Sequence, residues 1–138
     1  MRLKIITASI CLCLCLAPAL SALPALLAQD KAPDLISGIW FGYYGTSPRD
    51  QAQVRLTLEW DGKVLTGSVT TGDDPFDVEK ATFDPKTGAI HMEVVTPGPG
   101  RGRGLYHYII DGKVEKDTMT GLWHHESAKG DFQVKKIS

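Results

Sequence analysis

VRLTLEWDGKVLTGSV, residues 54–69, alternates apolar and polar side chains on both sides of an Asp61-Gly62 pair. Period-two alternation sends every second side chain to one face of a strand. An Asp-Gly pair between two such runs is a β-hairpin signal. Read as a two-residue type I′ turn, with both central residues at positive φ, it sets Trp60 against Lys63, Leu58 against Leu65, Leu56 against Gly67 and Val54 against Val69. One face of the hairpin is then apolar, with Gly67 pointing inward. Arg55, Thr57 and Glu59 lie on the other face, across from Ser68, Thr66 and Val64.

The same grammar extends outward along the chain. FDPKTGAI (83–90) predicts a second hairpin, with Pro85 at the second position of a type I turn and Gly88 in the left-handed position that follows. Beyond it Ile90, Met92 and Val94 point one way, His91 and Glu93 the other. VEKDTMTGLW (114–123) predicts a third turn near Glu115–Asp117, with Val114 facing Thr118, and its MTGLW echoes the earlier LTGSV. The spacing predicts strands over 36–44, 52–60, 63–71, 76–83, 89–95, 104–114, 118–125 and 131–137, and no helix in this part of the chain. Eight short strands joined by turns favour an all-β, eight-stranded antiparallel up-and-down barrel, because closure removes the unpaired edges of an open sheet.

The N-terminal residues follow a different pattern. Arg2 and Lys4 precede an apolar run from Ile5 to Leu16, and small residues follow in APALSALPALLA. This is the layout of a secretory signal peptide over residues 1–28, with cleavage after Ala22 or Ala28. Pro18 and Pro24 interrupt the run before it reaches the roughly 20 residues of a spanning helix. The three cysteines, Cys11, Cys13 and Cys15, fall inside this segment. Ile10, Leu12 and Leu14 stand where a lipid-attachment signal needs a small residue. Residues 29–138 are then a single domain, secreted or periplasmic, held together without disulfides. The chain has 15 basic and 16 acidic residues; without Arg2 and Lys4 the count is 13 against 16, a net charge of −3. This gives no electrostatic case for nucleic acid, and membrane contact is expected only through the signal peptide during export.

Gly38-Ile39-Trp40 on the first strand, the 54–69 hairpin and the final GDFQVKK (130–136), in that order, resemble the calycins, the lipocalin and avidin group, as small barrels of exported bacterial proteins. The resemblance implies that Trp40 closes one barrel end and that a ligand pocket opens at the other. Avidins continue Gly-x-Trp-aromatic with an Asn, and Leu-Thr-Gly with a Tyr, that bond biotin. Gly42 and Val69 occupy roughly those places here, so biotin binding is not carried over.

Candidate site residues follow from the barrel. An eight-stranded barrel is just wide enough to be filled by side chains or to hold one small ligand. Leu56, Leu58, Met92 and Tyr106 are expected to line an apolar pocket, with Tyr108 on the same face as Tyr106 and with Trp40 and Trp123 as aromatic walls. Arg101 and Arg103, in the Gly-rich stretch TPGPGRGRG (96–104), belong to a long loop placed to gate the pocket or hold an anion. A Val114–Thr118 pairing would bring His107 opposite His125. But zinc needs three or four converging ligands, and His124 and His125 face opposite ways, so no metal or cofactor is expected. No nucleophile–base motif appears, and Asp73, Asp74 and Asp77 sit near an exposed turn, so no enzyme is expected. The expected function is an exported binder of a small apolar or amphipathic ligand; the alternative is a filled barrel that docks on an exported protein partner.

Overall fold

The eight strands of the computed structural model, which describes residues 34–98, 101 and 104–138, each pair antiparallel with the next. They are β1 (Gly38–Ser47), β2 (Asp50–Trp60), β3 (Leu65–Thr71), β4 (Asp74–Phe83), β5 (Ala89–Pro97), β6 (Leu105–Glu115), β7 (Thr118–His125) and β8 (Ala128–Lys136). β8 returns to β1, Trp40 opposite Lys136 through Gly45 opposite Asp131, so the sheet closes into a barrel. The described chain is therefore all-β, with all eight expected strands present and their ends within three residues of the expected spans. The signal peptide expected over residues 1–28 lies outside the described residues.

The 54–69 hairpin forms, but its turn is wider than the sequence suggests. Trp60 pairs with Leu65, Leu58 with Gly67 and Leu56 with Val69, so residues 61–64 form a four-residue loop. Gly62 is at φ 101°, whereas Asp61 does not take the positive φ that a type I′ turn requires. Its carboxylate instead accepts hydrogen bonds from the Lys63 and Val64 N–H groups, both at 2.7 Å. These bonds hold the carboxyl below its usual range, and this short polar side chain competes well for its own backbone. The register moves by two residues. Because the side-chain period is also two, every residue keeps its face. Val54, Leu56, Leu58, Trp60, Leu65 and Val69 are all buried.

The turn between β6 and β7 departs by one residue, and there the face does change. Glu115 pairs with Thr118 across Lys116 and Asp117, with Lys116 at φ 57°. Val114 therefore faces Met119, not Thr118. Lys116 carries none of the Gly or Asn chemistry that marks a left-handed position, so no residue type anchors the turn. The second hairpin forms as expected: Gly88 is at φ 77°, its N–H bonds the Asp84 carbonyl at 2.8 Å, and its own carbonyl accepts from Val114.

One end of the barrel is filled. Trp40, Ile36 and Met119 are wholly buried there, with Trp60, Leu65, Phe83, Ile90 and Val114 packed about them. Trp60 and Phe83 meet edge to face at 5.5 Å. Residues just before β1 lie over this end and tie it shut. Trp40 Nε1 donates to the Ile36 carbonyl at 2.9 Å, and the Trp60 N–H donates to Ser37 Oγ at 2.7 Å. The Lys136 ammonium sits 5.9 Å from the Trp40 ring centroid, within reach of a cation–π contact.

Candidate functional site

The opposite end of the barrel is hollow. The strand ends there leave a cavity of about 320 Å³, at the lower end of the roughly 300–1,000 Å³ typical of small-molecule pockets. Leu56, Met92 and Ile110 belong to its aliphatic lining. Val54, Val69, Val94 and Phe76 make the walls, since each points inward from its strand. Tyr44, Tyr106, Tyr108, Trp123 and Phe132 form its aromatic part, with Thr71, Thr96 and Pro97 completing it. None of these side chains is charged.

The aromatic part is a connected assembly. Trp123 meets Tyr44 at 5.8 Å and Tyr108 at 5.9 Å between ring centroids. His125 stacks on Tyr106 at 4.8 Å with the planes 12° apart, and on Trp123 at 6.0 Å and 19°. Such contacts hold the rings in place, so the wall is largely formed before anything enters. Burial, with smaller contributions from Tyr44 and Tyr106, pushes the Tyr108 hydroxyl above its ordinary value of 10. It is a neutral phenol at physiological pH, able to donate one hydrogen bond and accept others.

Five of the sequence-chosen residues meet at this cavity: Leu56, Met92, Tyr106, Tyr108 and Trp123. Trp40 and Leu58 do not line it. Trp40 is wholly buried at the filled end, and Leu58 pairs with Gly38 and Gly67 on the same side. Arg101 is exposed in the turn after β5 and does not line the cavity. Arg103 lies outside the described residues, as do Pro99, Gly100 and Gly102 of the expected gating loop. The loop is bridged at its base by Gly98 N–H to the Gly104 carbonyl at 2.9 Å. Sequence reasoning missed Val54 and Val69, although both belong to the inward set of the opening hairpin. Finding Ile110 and Phe132 required the pairings of β6, β7 and β8, which the sequence did not set.

The one-residue change at the β6–β7 turn separates the histidines. His125 packs against Tyr106 and Trp123 on the inner face, whereas His107 stays on the outer face. There Nε2 of His107 lies 2.8 Å from Glu93, whose other oxygen is 3.5 Å from His91; His91 Nδ1 lies 2.6 Å from Asp111, and Lys80 reaches Glu93 at 3.4 Å. The bond to Asp111 outweighs desolvation and, helped by Glu93, raises the His91 pKa above its ordinary 6.5. Desolvation works to raise the Glu93 pKa, but the bonds from His91, His107 and Lys80 outweigh it and leave the carboxyl lowered. The two oxygens of Glu93 engage the two Nε2 atoms separately. Among the described residues no group of three or more His, Cys, Asp or Glu side chains is placed to hold one metal ion.

The fold and the cavity together define a closed eight-stranded antiparallel β-barrel with one filled end and one apolar chamber, an architecture consistent with the calycin-like fold that the Gly38-x-Trp40 start resembles. No protein-family model matches the chain, and no curated protein matches it.

Proposed function

We propose that this chain is an exported, non-catalytic binding protein that holds one small apolar or amphipathic molecule in the hollow end of its barrel. The observation that carries this reading is the uncharged cavity of about 320 Å³, lined by aliphatic and aromatic side chains. Such a chamber buries a ligand's carbon skeleton at about 25 cal/mol per Å² of apolar surface. The tyrosine and threonine hydroxyls near its top suit a polar group at the ligand's outer end. The alternative, a filled barrel acting only as a docking module for an exported protein, needs a plug that Trp40, Trp60 and Trp123 do not form together: Trp40 and Trp60 fill one end and Trp123 stands at the other. Export rests on the Arg2/Lys4 and Ile5–Leu16 pattern of the first 28 residues.

The test is native mass spectrometry on protein recovered from the expressing cells' envelope or medium without denaturation. A retained non-covalent mass of a few hundred daltons is the expected result. A bare protein mass, with no thermal shift across a panel of lipids and small aromatic and aliphatic metabolites, would count against a carrier.

A further inference from the structure

Five of the residues that line the cavity carry hydroxyls: Tyr44, Thr71, Thr96, Tyr106 and Tyr108. Tyr106 and Tyr108 lie two residues apart on β6 and so share its inward face. Thr96 stands directly opposite Tyr106 on β5. Trp123 touches Tyr108 on one side and Tyr44 on the other, which carries the run round to β1, and Thr71 adds a hydroxyl from the end of β3. Burial first, and then Tyr44 and Tyr106, raise the Tyr108 pKa, so the three phenols stand within electrostatic reach of one another. Among the described residues none of the five hydroxyls has a hydrogen-bond partner, and none is sealed from water as Trp123 Nε1 and His125 Nδ1 are. The same lining holds no carboxylate, amine, guanidinium or side-chain amide.

We infer that the cavity's ligand is an uncharged oxygenated molecule, an alcohol, ketone or ester on an apolar skeleton, whose oxygen is held by the tyrosine hydroxyls, and that the chamber rejects the corresponding carboxylate. The inference rests on the small-molecule reading above and narrows it to a chemical class. A hydroxyl both donates and accepts, so the set suits a ligand oxygen of either kind. On loading, each hydroxyl gives up a bond to water. An oxygenated ligand replaces that bond, whereas a plain hydrocarbon leaves it unmade. A carboxylate carries a full charge into a lining with no cation to offset it, and shedding its water costs far more than shedding that of a neutral oxygen. Arg101 is exposed and stands outside the lining.

Three naphthalene probes test this: 2-naphthylmethanol, its apolar counterpart 2-ethylnaphthalene, and 2-naphthoate, which is ionised at about pH 8. Calorimetry on the unsubstituted full chain as expressed should show 2-naphthylmethanol binding at least about tenfold more tightly than 2-naphthoate. Equal or tighter binding of the carboxylate overturns the inference and leaves the carrier reading standing; saturable binding of none of the three overturns both. The double substitution Tyr106→Phe/Tyr108→Phe keeps both rings and deletes two hydroxyls. It should weaken 2-naphthylmethanol about fivefold to tenfold relative to 2-ethylnaphthalene. Equal changes for these two probes overturn the hydroxyl assignment. Because neither hydroxyl has a partner within the described protein, the thermal midpoint of the double variant should stay close to that of the unsubstituted chain. A large fall in midpoint would assign the hydroxyls to the fold and overturn their assignment to the ligand. The comparison of alcohol with carboxylate needs no variant, so it stands even where the double substitution does not fold.

Discussion

Trp40 and Trp123 occupy opposite ends of one barrel and are both almost wholly buried, yet their surroundings differ in kind. Around Trp40 the space is filled, its indole N–H is bonded and its ring carries a cation. Around Trp123 there is a chamber on one side, rings on the other and an unbonded N–H. The segment before β1 accounts for much of the difference. Ile36 and Ser37 lie over the Trp40 end and supply its missing partners. A barrel this narrow does not have to be filled or hollow as a whole. One end can carry the stability and leave the other free to be a site.

Removing the core of the filled end should have the largest effect. Trp40→Ala deletes a wholly buried ring and strands the Ile36 carbonyl, and by the precedent of aromatic core truncations it should cost about 3–5 kcal/mol. Urea denaturation monitored by far-UV circular dichroism would read this as a large fall in midpoint or as loss of a cooperative transition. A near-unchanged midpoint would mean that the Trp40 end does not carry the fold.

A paired enlargement compares the two ends directly. Val114→Phe adds bulk beside Met119 in the filled end and should cost about 1–3 kcal/mol through overpacking. Val54→Phe adds the same bulk to the cavity wall, where there is room, and should cost less than about 1 kcal/mol while abolishing probe uptake. Equal destabilisation by the two substitutions would erase the distinction between the ends.

The smallest expected effect lies on the outer face. The folded state binds the His91 proton more tightly than the unfolded chain does, because His91 is bonded to Asp111 and Glu93. That stabilisation is complete below the ordinary imidazole value of about 6.5 and disappears as pH rises through the raised value. The groups are partly exposed, so the whole effect should stay under about 1 kcal/mol. Thermal midpoints taken from about pH 6 upward should decline slightly in the unsubstituted protein, and Asp111→Asn should flatten the decline. An identical slope in the two proteins would remove this pair from the account.

The hairpins show which parts of the fold could be read in the sequence. At residues 54–69 the loop was misjudged by two residues and the inward set survived, because a shift of two leaves every side chain on its face. At Glu115–Thr118 the misjudgement was a single residue, and His107 and His125, expected to face each other, parted to opposite sides of the sheet. The error arose where no glycine or asparagine marked the left-handed position that Lys116 adopts. Of the candidate site, the aromatic and aliphatic character was legible, as were five of its members. Trp40 and Leu58, expected to line it, lie outside the cavity lining, because alternation gives a residue's face but not its height along the barrel axis.

Alternation and turn residues by themselves determined that residues from Gly38 onward form antiparallel strands, which faces are apolar over most of their length, and that closing the sheet would satisfy its edges. These are local properties, set by the two-residue period of a strand and the φ preferences of a few turn positions. Only the tertiary structure decided which end is filled, where the chamber lies, and which indole N–H has a partner. Those depend on how far each strand is displaced against its neighbour around a closed circuit, and on where the short segment before β1 comes to rest. No single stretch of sequence specifies either.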